Sequence, residues 1–151
     1  MISKIKKFII DLLQSIKNSI SKPSSIVPSV DNEKNTMLVE NTINVFRTIN
    51  HLLPYKHNDK LTKLAMQLSE TMVKQNDVMY DYKGLELRLK LNALGISYKN
   101  AYLMASYGKD DKQISRNIFA SIIYRNILLS NNFDYIGVYV FNNYCAVILT
   151  R

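Results

Sequence analysis

The chain ends in two β-rich apolar runs, Tyr135–Phe141 and Tyr144–Leu149, separated only by Asn142-Asn143. Asparagine tolerates the left-handed backbone that a two-residue hairpin loop needs, and valine, isoleucine and aromatic residues suit strands. The two runs therefore predict an antiparallel hairpin. A lone hairpin is marginal in water, so this one requires a covering layer. The segments upstream are mostly of helical period, with helices first and the hairpin last. That order predicts an α+β fold rather than a parallel βαβ sheet.

Leu38, Val39, Ile43, Phe46 and Ile49 mark an amphipathic helix broken near Pro54. Leu61, Leu64, Ala65, Leu68 and Met72 mark a second, with Asn58 or Asp59 as its N-cap. Leu85, Leu87, Leu89, Leu91 and Leu94 suggest a third, closed by Gly95, although their alternation would also suit a strand. Ile114, Ile118, Phe119, Ile122, Ile123 and Ile127 predict one fourth helix, with Asp110-Asp111 as an N-terminal cap rather than a calcium site. Tyr102–Tyr107 is a short additional strand candidate.

Residues 1–20 form a separate unit. Ile2, Ile5, Ile9, Leu12, Leu13 and Ile16 recur at helical spacing opposite most of the lysines, as in a basic amphipathic helix. Asp11 interrupts the apolar run and no small-residue cleavage site follows, so a signal or anchor segment would be degenerate. The run is too short and too charged to span a bilayer. Two readings stand for this arm: its apolar residues face a membrane or serve export, or they pack on the domain or on a second copy. Residues 21–36, with two prolines and several serines, read as a linker to a domain over 37–151.

With 47% apolar residues in 151, an ordinary core is expected, and the single cysteine excludes an intrachain disulfide. A formal net charge of +8 favours anionic partners such as an acidic membrane surface or anionic glycans. The lysines are scattered and no helix-turn-helix, zinc-finger or RNA-binding signature accompanies them, so sequence-specific nucleic-acid binding is not expected.

From about Leu38 to Arg151 the chain resembles the bacterial-type SCP-like domains of the CAP superfamily, the cysteine-rich secretory, antigen 5 and pathogenesis-related proteins. Ile43-Asn44-Val45-Phe46-Arg47 has the form of the family's I-N-x-x-R segment, and Pro54, Leu61, Ala65 and Met72 follow at compatible spacing. Arg88 and Gly95 fit the next helix. Ser121-Ile-Ile-Tyr-Arg-Asn-Ile-Leu, followed by Asn131-Asn-Phe-Asp-Tyr-Ile-Gly-Val138, resembles the S-P-G-H-R-x-N-I-L and N-x-F-x-x-I-G-V signature without gaps. The resemblance implies an α–β–α sandwich with a small antiparallel sheet between helices, carrying Asn44, Arg47, Arg88, Ser121, Arg125 and Gly137 as fold-signature residues. The arginines are expected to brace the fold.

The departures bear on function. Where the family places two histidines and a glutamate around a central cleft, this chain aligns Tyr80, Tyr124 and Tyr102, and a second acidic position has no counterpart. Neutral phenol, with a pKa of about 10, is a poor ligand for divalent ions and a poor acid–base group near neutral pH. The resemblance thus implies the fold without the family's metal site: no catalytic residue, no metal and no cofactor are expected. Tyr80, Tyr102 and Tyr124 are expected to converge, either filling the old cleft or lining a pocket for a small amphipathic ligand.

His51 and His57 read as surface loop residues, Cys145 as a small buried core residue, and Ser121 as a helical residue without a hydrolase elbow. The function expected is a non-enzymatic binding module at a membrane or cell surface, meeting a lipid, glycan, host or envelope partner. Two alternatives are an enzyme using a site unlike the family's, such as a hydrolase, and an intracellular protein that self-associates through its arm.

Overall fold

A computed structural model describes Lys4, Lys6, Lys7, Ile9, Ile10, residues 30–78 and residues 85–151. In chain order the elements after the arm are α1 (Val30–Ile49), β1 (Lys56–His57), α2 (Asp59–Gln75), α3 (Leu85–Ala93), β2 (Ala101–Tyr107), α4 (Asp111–Ala120), α5 (Ile122–Leu128), β3 (Tyr135–Phe141) and β4 (Tyr144–Thr150). The strands form one sheet in the order β1-β3-β4-β2. It is antiparallel except for the two-residue β1, which pairs parallel with β3 and has no signal in the sequence.

The hairpin lies at the centre of the sheet. Asn142 and Asn143 both have positive φ, 43° and 76°, as a two-residue turn between twisted strands requires. Both strands are buried on both faces, because helices cover the sheet on either side. Ile136, Val138 and Val140 of β3, with Cys145, Val147 and Leu149 of β4, pack under Val39 and Ile43 of α1 and Ile114 and Ile118 of α4. The alternate residues Tyr139, Phe141, Ala146 and Ile148 pack against Leu61, Leu64, Leu68 and Met72 of α2 and Leu87 and Leu91 of α3. The expected α–β–α sandwich is the observed architecture.

Gly137 sets the distance between the sheet and α2. A Cβ placed there would lie 2.3 Å from the Leu61 carbonyl carbon, so only glycine lets the helix approach β3 this closely. The helix ends follow local chemistry. Asn58 Oδ1 accepts the Leu61 N–H at the start of α2, and Asp110 Oδ1 accepts the Gln113 N–H at the start of α4. Gly95, at φ 68°, stops α3 while the Ile96 N–H reaches back to the Leu91 carbonyl, which settles this segment as helix rather than strand.

Two expectations change. The single fourth helix is two helices, broken at Ser121, which is extended (φ −79°, ψ 118°) and not helical. Its hydroxyl accepts the Tyr124 N–H at 3.2 Å, so it caps α5 and competes with a continuous helix. The first helix begins at Val30, inside the stretch read as linker. Asp31 and Glu33 favour its N-terminal end, and two polar side chains dock it on the sheet. Thr36 Oγ1 accepts the Val140 N–H at 2.8 Å, and Asn32 exchanges two hydrogen bonds with Asn142 at the hairpin turn.

In the N-terminal arm, Lys4, Lys6, Lys7, Ile9 and Ile10 are helical and exposed. Ile2, Ile5, Leu12, Leu13 and Ile16 lie outside the described residues. Among the described residues no helix is long and apolar enough to cross a membrane.

Candidate functional site

Two of the three expected tyrosines come together. Tyr102 leaves β2 on the face covered by α1 and α4, and Tyr124 leaves the first turn of α5 toward it. Their ring centroids are 6.3 Å apart at 83°, an edge-to-face contact, and Phe133 adds a third ring 6.5 Å from Tyr102. Ser121 makes the meeting possible, because the break it imposes re-aims α5 across the edge of the sheet. Tyr80 lies outside the described residues.

The two phenols are in different circumstances. The Tyr124 hydroxyl accepts the Ala105 N–H at 3.3 Å, a bond to the outer edge of β2. Tyr102 is half-buried, and burial, with the neighbouring Tyr124 adding to it, raises its phenol above the ordinary value of 10.0. Both effects disfavour phenolate, so Tyr102 stays neutral through the physiological range. The pair offers flat apolar surface and hydrogen-bonding hydroxyls.

Beside the pair runs a groove of about 850 Å³, lined on one side by Tyr98 to Leu103 and on the others by Leu87, Arg88, Asn132 and Phe133. Among the described residues its walls carry two cationic side chains, Arg88 and Lys99, and no carboxylate. Asn100 Nδ2 donates to the Asn132 carbonyl at 3.2 Å and ties the two rims together. The sequence reading missed this groove, apart from Tyr102 and Arg88. The polar run Tyr98-Lys99-Asn100 just before a strand was its only local trace.

Comparison with known proteins assigns the fold. The chain superposes on a cysteine-rich secretory protein of Staphylococcus aureus over 86% of its length, with a TM-score of 0.71 and 21% identity. It matches an extracellular protein containing an SCP domain from Bacillus anthracis over 85%, with a TM-score of 0.74 and 18% identity. An outer surface protein of Borrelia burgdorferi matches over 83%, with a TM-score of 0.72 and 14% identity. The chain has the CAP fold. It spans 42% and 45% of the first two proteins and 98% of the third. No family sequence model matches it, and a search of curated proteins returns no match.

Within this CAP fold the signature residues divide by role. Asn44 clamps the backbone of Tyr55, accepting its N–H at 2.8 Å and donating to its carbonyl at 3.3 Å. Arg47 is buried and donates to the carbonyls of Leu53, Leu128 and Ser130 at 2.7–2.9 Å. It joins the loop after α1 to the end of α5, where helix carbonyls concentrate negative potential. Arg47 therefore ties these segments together. Arg88 is exposed on the groove wall and Arg125 is exposed on α5.

The remaining candidates lie away from the tyrosine pair. Cys145 is fully buried, and burial pushes its thiol up to about 12. His51 is exposed at a positive-φ turn. His57 belongs to β1 and sits between Glu40 Oε1 and Asp59 Oδ1, 2.9 Å from each. Among the described residues, no group of three or more His, Cys, Asp or Glu side chains could hold a metal ion.

Proposed function

We propose that this CAP-fold chain is a non-enzymatic binding module, displayed at a membrane or cell surface, whose cavity has exchanged acid–base and metal chemistry for aromatic contact. The observation that carries this reading is the Tyr102–Tyr124 pair. Its rings stack edge to face, one hydroxyl is committed to the Ala105 N–H, and the other phenol is shifted away from ionisation. Such a pair can form the wall of a binding site but supplies no metal ligand or proton acceptor of useful pKa.

The surface setting draws on three supports. The net charge of +8 attracts anionic surfaces, and the arm presents Lys4, Lys6 and Lys7 to solvent. Proteins that share the fold are described as secretory, extracellular or outer-surface.

The test pairs vesicle sedimentation with zinc calorimetry on the full chain. Vesicles rich in phosphatidylglycerol should retain the protein at about 0.15 M salt and release it at about 1 M, where the screening length shrinks to a few ångströms. Neutral phosphatidylcholine vesicles should not retain it. Zinc should give no saturable heat. Stoichiometric zinc binding that disappears in Tyr102→Phe and Tyr124→Phe would overturn the loss of metal chemistry. Equal retention on neutral and anionic vesicles would overturn the electrostatic surface reading.

A further inference from the structure

The two edges of the sheet are closed differently. On the β3 side, Thr36 accepts the Val140 N–H and Asn32 bonds the hairpin turn beyond it. On the β2 side, Tyr124 accepts the Ala105 N–H, and Asn117 Nδ2 donates to the Tyr107 carbonyl at 2.7 Å. These contacts identify the odd-numbered residues of β2 as those whose backbone groups turn away from β4. In an antiparallel pair that orientation alternates strictly along the strand. Ala101 and Leu103 therefore also present their N–H and C=O groups outward. Among the described residues, these groups find no partner.

The open half of this edge coincides with the groove, since Ala101 and Leu103 both line it. An unpaired strand edge is a template for another extended chain. Its donors and acceptors alternate at the two-residue repeat of a peptide backbone, about 6.8 Å, which phosphates and sugar rings do not reproduce. Tyr102 and Phe133 supply an apolar floor, Lys99 supplies positive charge, and among the described residues no carboxylate lines the walls. At the far end, Tyr124 and Asn117 occupy the edge positions that a longer added strand would need.

We propose that an extended, acidic peptide binds in this groove as a fifth strand. Its backbone pairs with Ala101 and Leu103, and its acidic side chains face Lys99. Main-chain pairing would supply affinity, and the charged and aromatic walls would select the sequence. Tyr124 and Asn117 limit the paired length to roughly the six residues facing Tyr98–Leu103, about 20 Å of strand. This assignment rests on the binding-module reading and gives it a partner class.

The test uses the full chain and a capped peptide of about eight residues that alternates glutamate and valine, with amide exchange followed by NMR. At saturation, the Leu103 and Ala101 amides should exchange at least about tenfold more slowly, while Tyr102 and Met104, which already face β4, should change less. Two further peptides carry N-methyl groups at either the odd or the even positions. One should bind about tenfold more weakly and the other like the parent, because only one edge of the added strand meets β2. Lys99→Glu should weaken the parent peptide by a similar factor and leave thermal stability unchanged.

Equal affinity of the parent and both methylated peptides would reduce the contact to ionic attachment and overturn strand addition. Unchanged exchange at Leu103 in the saturated complex would do the same. So would absence of peptide binding. In that case, retained binding to anionic vesicles would leave the surface-module reading standing, whereas loss of both would remove it as well.

Discussion

The guanidinium carbon of Arg47 lies 4.2 Å above the centroid of the Tyr55 ring, with both side chains buried. Asn44, one helical turn earlier, holds the backbone of the same tyrosine. The helix signature and the loop after Pro54 thus form one unit. The cation is satisfied by three carbonyls and an aromatic face, and among the described residues no carboxylate pairs with it. Burial raises the Tyr55 phenol above its ordinary value, against the opposing effect of Arg47, so the ring stays neutral beneath the cation.

Arg47→Lys should destabilise the fold by about 2–4 kcal/mol, because an ammonium cannot reproduce the planar fork and leaves buried carbonyls unpaired. Tyr55→Phe keeps the ring and loses only long hydrogen bonds of 3.4–3.5 Å, so its cost should stay below about 1 kcal/mol. Urea unfolding of the two variants measures the contrast. Equal losses would show that the phenol oxygen, and not the guanidinium geometry, matters most.

Gly137→Ala should cost about 3 kcal/mol or more, since α2 would have to lift off β3 to admit the methyl group. Gly95→Ala also introduces a side chain at positive φ, but its added Cβ meets nothing within 4 Å. Its loss should be closer to about 1 kcal/mol. Thermal melts of the pair separate steric from conformational cost.

Cys145 should resist thiol reagents at pH 8 in the native protein and react fully in urea. Its thiol is buried in β4 and pushed up to about 12, so both access and the thiolate fraction are low. Native-state labelling at the rate of a free thiol would contradict the packing described for that strand.

His57 should titrate above 6.5. The Glu40 hydrogen bond is the largest cause, Asp59 assists, and partial burial opposes both. A raised native pKa means that the stabilising contribution is fully present below the unfolded value of about 6.5 and is lost as pH rises through the native value. The imidazole is half exposed, at 51%, so the effect on stability is small and is best read from the NMR titration itself. Glu40→Gln should move the midpoint down, and an unchanged midpoint would show that Glu40 is not the cause.

The local elements were largely legible in the sequence because their causes are local. The Asn142-Asn143 turn, the Asn58 and Asp110 caps, the Gly95 stop and the apolar period of α2 each depend on a few neighbouring residues. The break at Ser121 was not read, although the residue is a favourable N-cap, because Ile114 to Ile127 keep a helical period across it. Apolar period reports which side faces a core. It does not report whether the backbone is continuous.

By itself the sequence determined the α+β class and the closing hairpin. Tertiary structure decided that Tyr102 and Tyr124 meet, that Arg47 lies against Tyr55, and that Ala101 and Leu103 form an open edge beside a basic groove. Each of these depends on which strand lies at the end of the sheet and on the direction α5 takes after Ser121. Pairing order and helix direction arise from contacts between distant residues, which no local window of the chain contains.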